Sequence, residues 1–360
     1  MNGKTGAAEF ARAFGSESRR QMLEEYFAAA GAVTPENAWQ HVYRLLLWID
    51  RTTGLAHCYE SDKAQPGRPW YRRSLAFHDW VSGELGCEPG QLGASIDWLF
   101  ERGTERMARA LTGIEQRRSQ LAAEQRRPYE GRGFPEPGDN PALGHVVREE
   151  LEPYLTTEPP PEVMRRLARR IRAHFTQENK RKNLVGEGFE DALASVIERL
   201  PGIADLSVHA RPLLHALPGF RPPPGNEKPR RVDVAVVGPQ DRRVLVSAKW
   251  SVRADREEQF GVDFEAYARL DDAGRDFAFV LVTNEFDAAR LVAACERRRQ
   301  NAALFSSVVH VNPAGVLAAY GTDPRRSASK LAEHITGYRL TSLAHWLSGL
   351  TTATPSTEQR

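Results

Sequence analysis

The hydrophobic rhythm of the chain changes once. Over residues 5–127, apolar positions recur at three- and four-residue spacing, as in ENAWQHVYRLLLWIDR and GASIDWLFERGTERMARALTGIEQRRSQLAAEQRR, which predicts amphipathic helices. The interruption AQPGRPWYRR (64–73) reads as a loop from its Pro and Gly content. The Pro- and Gly-rich run RPYEGRGFPEPGDNP then marks a boundary. Beyond it, the segments PALGHVVREELEPYL, PEVMRRLARRIRAHFTQ and GEGFEDALASVIERL read as helices, followed by four short β-branched runs: RRVDVAVV, RRVLVSAKW, DFAFVLVT and SSVVHV. The helical patterns EEQFGVDFEAYARL and DAARLVAACERRRQ separate the last three runs. Strand, strand, helix, strand, helix, strand predicts an α/β fold with a central mixed sheet flanked by helices. A last helix is expected over ASKLAEHITGYRLTSLAHWLSGL. The expected organisation is a helical N-terminal domain (1–127), a linker (128–142), an α/β domain (143–350) and a disordered polar tail (351–360).

Composition narrows this picture modestly. The 360 residues suffice for two domains, and 41% hydrophobic and 27% charged content is ordinary for a soluble globular protein. A formal net charge of +2 confines any polyanion-binding surface to a local patch. The three cysteines, Cys58, Cys87 and Cys295, have no metal-ligand spacing and fit reduced thiols. Without a signal-like start or an apolar run of roughly 18 residues, the expectation is a cytoplasmic protein with no membrane association.

The chemistry concentrates on two adjacent strands. In RRVLVSAKWS, alternation puts Val244, Val246, Ala248 and Trp250 on one face and Ser247 and Lys249 on the other. In RRVDVAVV, Val232, Val234 and Val236 share a face opposite Asp233, and GPQDRR can close a hairpin between the runs. Asp233 and Lys249 can therefore meet. A carboxylate beside a lysine suits metal-assisted phosphodiester hydrolysis: the acid holds Mg²⁺, and the lysine orients the attacking water or stabilises charge. Mg²⁺ prefers several oxygen ligands, and Ser247 stands where a second acid would be convenient. Helical phase selects the alternatives. Phe260, Phe264 and Tyr267 form a stripe from which Asp263 lies about 60° away and Glu265 about 140° away, so Asp263 faces inward. By the same test, Phe189, Leu193, Val196 and Leu200 set a stripe with Glu190 at its edge and Glu187 on the far side.

The order Glu190, Asp233, Ser247-Ala-Lys249, Arg253-Ala-Asp255-Arg256, Asp263 resembles the PD-(D/E)xK nuclease core, and more narrowly the type II restriction endonucleases of the CCGG/CCNGG-recognising group. That group is similar in using S-x-K, with the displaced acid on the following helix, and in carrying an R-x-D-R-like element that reads adjacent G·C pairs. The resemblance covers roughly residues 180–275 well and the later α/β part loosely, and it says little about 1–140. It implies a restriction-endonuclease-like core and a Mg²⁺-dependent, sequence-specific endonuclease for double-stranded DNA. It also implies Asp233, Asp263 and Glu190 as metal-site carboxylates, Lys249 as the catalytic lysine, Ser247 in support, and Arg253, Asp255 and Arg256 in base readout. Val232 stands where the family name has proline, and the helix acid is Asp instead of Glu. The readout chemistry is independently sound, because Arg donates two hydrogen bonds to guanine O6 and N7 and Asp accepts from cytosine N4. A palindromic site read by one element per subunit would call for a homodimer or higher oligomer, and a cognate DNA methyltransferase is the expected genetic partner.

Blander readings stand beside these. Arg253, Asp255 and Arg256 also suit a surface ion-pair cluster. The basic run MRRLARRIRAHFTQENKRK suits phosphate contact and a solvated helical face equally. In GRPWYRR, core aromatics flanked by surface arginines compete with flanking-DNA contact. Adjacency alone does not make His57 and Cys58 a dyad, and GEGFED lacks the third glycine and preceding strand of a dinucleotide fingerprint. The rival functions are another nuclease of this fold, acting in repair or on modified DNA, and a non-catalytic DNA-binding protein.

Overall fold

A computed structural model describes residues 14–58, 64–133, 141–151, 156–157, 159–252, 257–272, 277–299, 301–321 and 326–352. The chain groups into two compact units, one of residues 1–18 and 102–184 and the other of residues 19–101 and 185–360. The boundary expected near 127 follows composition, whereas this grouping follows contacts. Residues 19–101 share a unit with the β-sheet.

The larger unit holds most of α1 (Ser16–Ala30), α2 (Ala38–Leu46), α3 (Pro69–Leu85) and a minimal hairpin, β1 (Ile49–Asp50) and β2 (Leu55–Ala56), with α3 packed on β2. Helix α3 begins inside the segment expected to be a loop. Pro69 occupies its first turn, where the missing N–H costs no bond. The element GRPWYRR is consequently helical from its proline onward, and Arg73 is buried with its guanidinium 4.6 Å from the Trp70 ring and 4.0 Å from the Tyr320 ring. The expected core aromatics and surface arginines are thus only partly met: Trp70 and Tyr71 are half-buried and Arg72 is exposed, but Arg73 is the buried residue.

The smaller unit is helical, containing most of α4 (Trp98–Arg126), all of α5 (Pro141–Leu151) and the first part of α6 (Pro161–Glu198). Helix α6 runs unbroken for 38 residues through two segments that read as separate helices. GEGFED is simply part of it. In its basic stretch Arg166 and Arg170 are exposed and Arg181 is buried, while the side chains of Arg165, Arg169, Arg172, Lys180 and Lys182 lie outside the described set.

The central sheet has six strands, β3 (Ser207–Ala210), β4 (Val234–Gly238), β5 (Arg242–Lys249), β6 (Ala278–Thr283), β9 (Ser307–His310) and β10 (Leu340–Ser342), in spatial order β10-β9-β6-β5-β4-β3. The pairs from β5 through β6 and β9 to β10 are parallel, and β4 is antiparallel to both β5 and β3. The fold is thus α/β with a mixed sheet flanked by helices. Residues 243–248 of β5 and 279–283 of β6 are buried without alternation, as expected of strands covered on both faces. Parallel pairing needs crossovers, supplied by α7 (Glu257–Leu270) between β5 and β6 and by α8 (Ala288–Glu296) between β6 and β9. The aromatic stripe of α7 packs where phase puts it: Phe264 lies 5.7 Å and Tyr267 5.9 Å from the Phe279 ring, and Phe260 lies 5.3 Å from Phe305.

Two strands depart from expectation. Strand β3 joins the sheet edge although three of its four residues are exposed, so no hydrophobic run announced it. The last segment is not one helix but α10 (Arg326–Thr336), strand β10 and α11 (Leu343–Thr352), preceded by α9 (Pro313–Tyr320). The break falls at Gly337 and Tyr338, the latter at φ 56°, a left-handed conformation that ends a helix. Two-residue strands β7 (Arg298–Arg299) and β8 (Ala302–Ala303) likewise replace the end of the helix expected over DAARLVAACERRRQ, which stops at Glu296.

A buried ion pair anchors the start of β5. Arg243 is 1% exposed and grips Asp271, at the end of α7, through two bonds of 2.8 and 3.3 Å, while its guanidinium covers the Phe220 ring at 4.5 Å.

Candidate active site

The sheet brings β4 and β5 together so that Val234 pairs with Val246. Continued by one residue, that register sets Asp233 across from Ser247, at the end of the sheet where β4 begins and β5 finishes. Oδ2 of Asp233 accepts bonds from Lys249 Nζ at 2.6 Å, the Ala248 backbone N–H at 2.9 Å and Ser247 Oγ at 3.4 Å. Lys249 and Asp233 keep 36% and 23% of their side-chain surface accessible, so the pair sits at the surface of the sheet end instead of in its core.

Trp250, the residue after β5, is buried. Phe189 of α6 meets its ring edge-on at 5.4 Å, and Trp48 stacks beside it at 6.4 Å. This apolar contact holds α6 against the strand end, and the next residue, Glu190, reaches the Asp233–Lys249 pair electrostatically. The Glu190 carboxyl is pushed up to about 7, first by burial and then by the Asp233 charge, with Arg211 and Lys249 opposing the rise. Glu187, one turn earlier, is exposed and pairs with Arg19.

On α7, Asp263 is half-buried and Glu265 exposed. Burial raises the Asp263 carboxyl above its ordinary range, aided by Asp233 and opposed by Gln259, Arg230 and Lys249. Its Oδ1 accepts from Gln259 Nε2 at 2.7 Å and lies 3.6 Å from Arg230. Asp233, Lys249, Glu190 and Asp263 thus share one electrostatic neighbourhood within the larger unit. Arg253, Asp255 and Arg256 lie outside the described residues.

Among the described residues, no group of three His, Cys, Asp and Glu side chains is set to hold a metal ion. The donor chemistry still fits a hard divalent cation. Mg²⁺ is commonly held by only one or two carboxylates, with water and substrate phosphates completing its shell. Asp233 and Glu190 supply two, and all three bonds on Asp233 fall on Oδ2.

Several neighbours gave no signal in sequence. Arg211 lies just past β3 and bonds Glu190 Oε2 at 3.1 Å and Asp191. Glu285, buried after β6, accepts backbone N–H bonds from Val252 at 2.8 Å, Phe286 at 2.9 Å and Asp287 at 2.7 Å, which tethers the chain three residues beyond Lys249. An acid in TNEF, between a strand and a helix, carries no pattern that distinguishes this role. Elsewhere, His57 stacks on Trp48 at 4.2 Å, and the Cys58 thiol, 3.3 Å from Ser74 Oγ, is pushed up to about 12 by burial. Both side chains are occupied in packing.

The Glu190 shift has a consequence for stability. A carboxyl with a raised folded-state pKa binds protons more readily folded than unfolded, so its contribution is present below about pH 4.5 and is lost as pH rises to about 7. Without divalent cations, Glu190→Gln should flatten the fall in unfolding free energy across that window by about 2–3 kcal/mol. Urea titrations at several pH values check this, and parallel curves for both proteins would contradict it.

No helix among the described residues is long and apolar enough to cross a membrane. No family model matches the chain, and no curated protein does. Among solved structures, the chain is similar to restriction endonuclease PspGI in complex with its substrate DNA, at 12% identity and a TM-score of 0.33, over 85% of this chain and 97% of that one.

Proposed function

We propose that the chain is a Mg²⁺-dependent, sequence-specific endonuclease that cuts double-stranded DNA, of the type II restriction kind. The observation that carries this reading is the 2.6 Å contact of Lys249 with Asp233 at adjoining strand ends, with the Glu190 carboxyl raised by burial and by the Asp233 charge. Asp233 and Glu190 would hold the cation, and Asp263 would join them by turning from Gln259. When bound, Mg²⁺ supplies a Lewis acid that polarises the scissile phosphate and stabilises the charge developing on it. Lys249, beside Asp233, would orient the attacking water and favour its deprotonated form. Arg253, Asp255 and Arg256 would read a GG/CC step, each good bidentate contact contributing about 1–3 kcal/mol of discrimination. Reading a palindrome this way calls for two copies of the chain, and protecting the host genome calls for a methyltransferase that modifies the same site.

Digestion of a sequenced plasmid in Mg²⁺ tests the reading: discrete bands are expected, vanishing in EDTA. Intact plasmid under Mg²⁺ and Mn²⁺, together with tight DNA binding, would instead point to a non-catalytic DNA-binding protein. The choice of helix acid is tested separately. Asp263→Ala should lower the cleavage rate about 10–100-fold, whereas Glu265→Ala, on the exposed side of α7, should leave it within about twofold. Single-turnover rates on one labelled duplex compare the two directly, and the opposite ranking would move the role to Glu265.

A further inference from the structure

Arg211 connects both carboxylate carriers of the site through different parts of one residue. Its backbone N–H donates to the Asp233 carbonyl at 2.8 Å, fixing the main chain at the start of β4. Its guanidinium reaches α6, where Nη1 donates to Glu190 Oε2 at 3.1 Å and to the Glu187 carbonyl at 3.2 Å, and Nη2 bonds Asp191. Asp191 is held in turn from its other oxygen by Arg19 Nε at 2.6 Å, so the guanidinium docks on an anchored partner. A second tie closes from behind, because Arg231 Nη1 donates to the Arg211 carbonyl at 2.8 Å. The backbone itself is unusual: Arg211 sits at φ 51°, a region that costs a non-glycine residue roughly 1 kcal/mol or more and persists only where its surroundings impose it. Here that turn lets the main chain face β4 while the side chain crosses to α6.

We propose that Arg211 is the positioning residue of the site, setting where Glu190 stands relative to Asp233 and thereby how well the two carboxylates accept one divalent cation. This rests on the metal-dependent reading above. Partners that orient ligating carboxylates without touching the metal typically change metal affinity about 10–100-fold when removed.

Mn²⁺ titration calorimetry on the full-length protein without DNA tests the assignment. Arg211→Ala should weaken Mn²⁺ binding about 10–100-fold, and it should also lower the cation-free melting temperature, because the Glu190 and Asp191 carboxylates lose a charged partner. Arg211→Lys keeps the charge but not the planar fork and should fall between the two. A purely structural residue would lower the melting temperature and leave affinity alone, so equal Mn²⁺ affinity in folded wild-type and Arg211→Ala proteins overturns the assignment while leaving the nuclease reading intact. Should Arg211→Ala fail to fold, wild-type affinity in Arg211→Lys overturns it equally. Wild-type protein that binds no Mn²⁺, with or without a DNA duplex, defeats both readings at once.

Discussion

Lys249→Ala should lower the single-turnover DNA cleavage rate about 10²–10⁴-fold, and Asp233→Asn should do the same. Both side chains stand at one point, so each variant removes part of a single unit, and the losses should not add. The double variant should be about as slow as the worse single one. Asp233→Asn is the cleaner substitution, because an amide oxygen still accepts from the Ala248 N–H and the end of the β4–β5 hairpin is preserved. Calcium-supported binding to the cleaved duplex should survive in both variants, which separates lost chemistry from lost affinity. Lys249→Arg is not expected to rescue, since a planar fork replaces a compact donor at a 2.6 Å contact. If either single variant retains more than a tenth of wild-type cleavage, the chemistry belongs to other residues.

The largest effect on stability should come from Asp271→Ala, about 3–5 kcal/mol of destabilisation. Arg243 is 1% exposed, and Asp271 is the carboxylate that meets its fork. Removing that carboxylate takes the bidentate ion pair away from a buried guanidinium that cannot lose its charge at any ordinary pH. The guanidinium also covers the Phe220 ring and makes a long contact of 3.4 Å to the Pro218 carbonyl, neither of which supplies a counter-charge. The pair is not therefore worth that much in itself. Arg243→Met combined with Asp271→Ala should recover most of the loss, because an apolar side chain of similar length needs no counter-charge. Chemical denaturation of the three proteins makes the comparison, and a double variant as unstable as Asp271→Ala alone would mean that lost packing, not the uncompensated charge, causes the effect.

The sheet was legible in sequence where its strands are buried on both faces. RRVLVSAKW and DFAFVLVT are continuous β-branched and aromatic runs because helices cover both sides, and a run of that kind is hard to mistake. SVHA offered nothing comparable: an edge strand can be short and exposed, held by backbone bonds that leave no hydrophobic trace. RLTS was hidden for another reason. Leu331, Leu340, Leu343 and Leu347 are all buried, and their spacing mimics a helix although strand β10 interrupts it. Gly337 was the available sign of the break. In the candidate site, Asp233 and Lys249 could be related through one hairpin and strand alternation, and Glu190 and Asp263 through helical phase, all rules of local geometry. Arg211 and Glu285 obey no local rule. One crosses from a strand end to a distant helix, and the other bonds main-chain N–H groups on two segments, so each becomes visible only once the chain is folded.

Strand β10 also has a practical side. Leu340 and Thr341 are buried, and they pair with Val308 and Val309 of β9 from a position only a dozen residues before the end of the last described helix. A shortened version ending before Leu340 would leave β9, with Val308 and Val309 at its middle, as an open edge with unmet backbone donors and acceptors, the kind of surface that recruits other chains into insoluble assemblies. Any shortened or tagged version of this protein should therefore retain the sequence through Thr352.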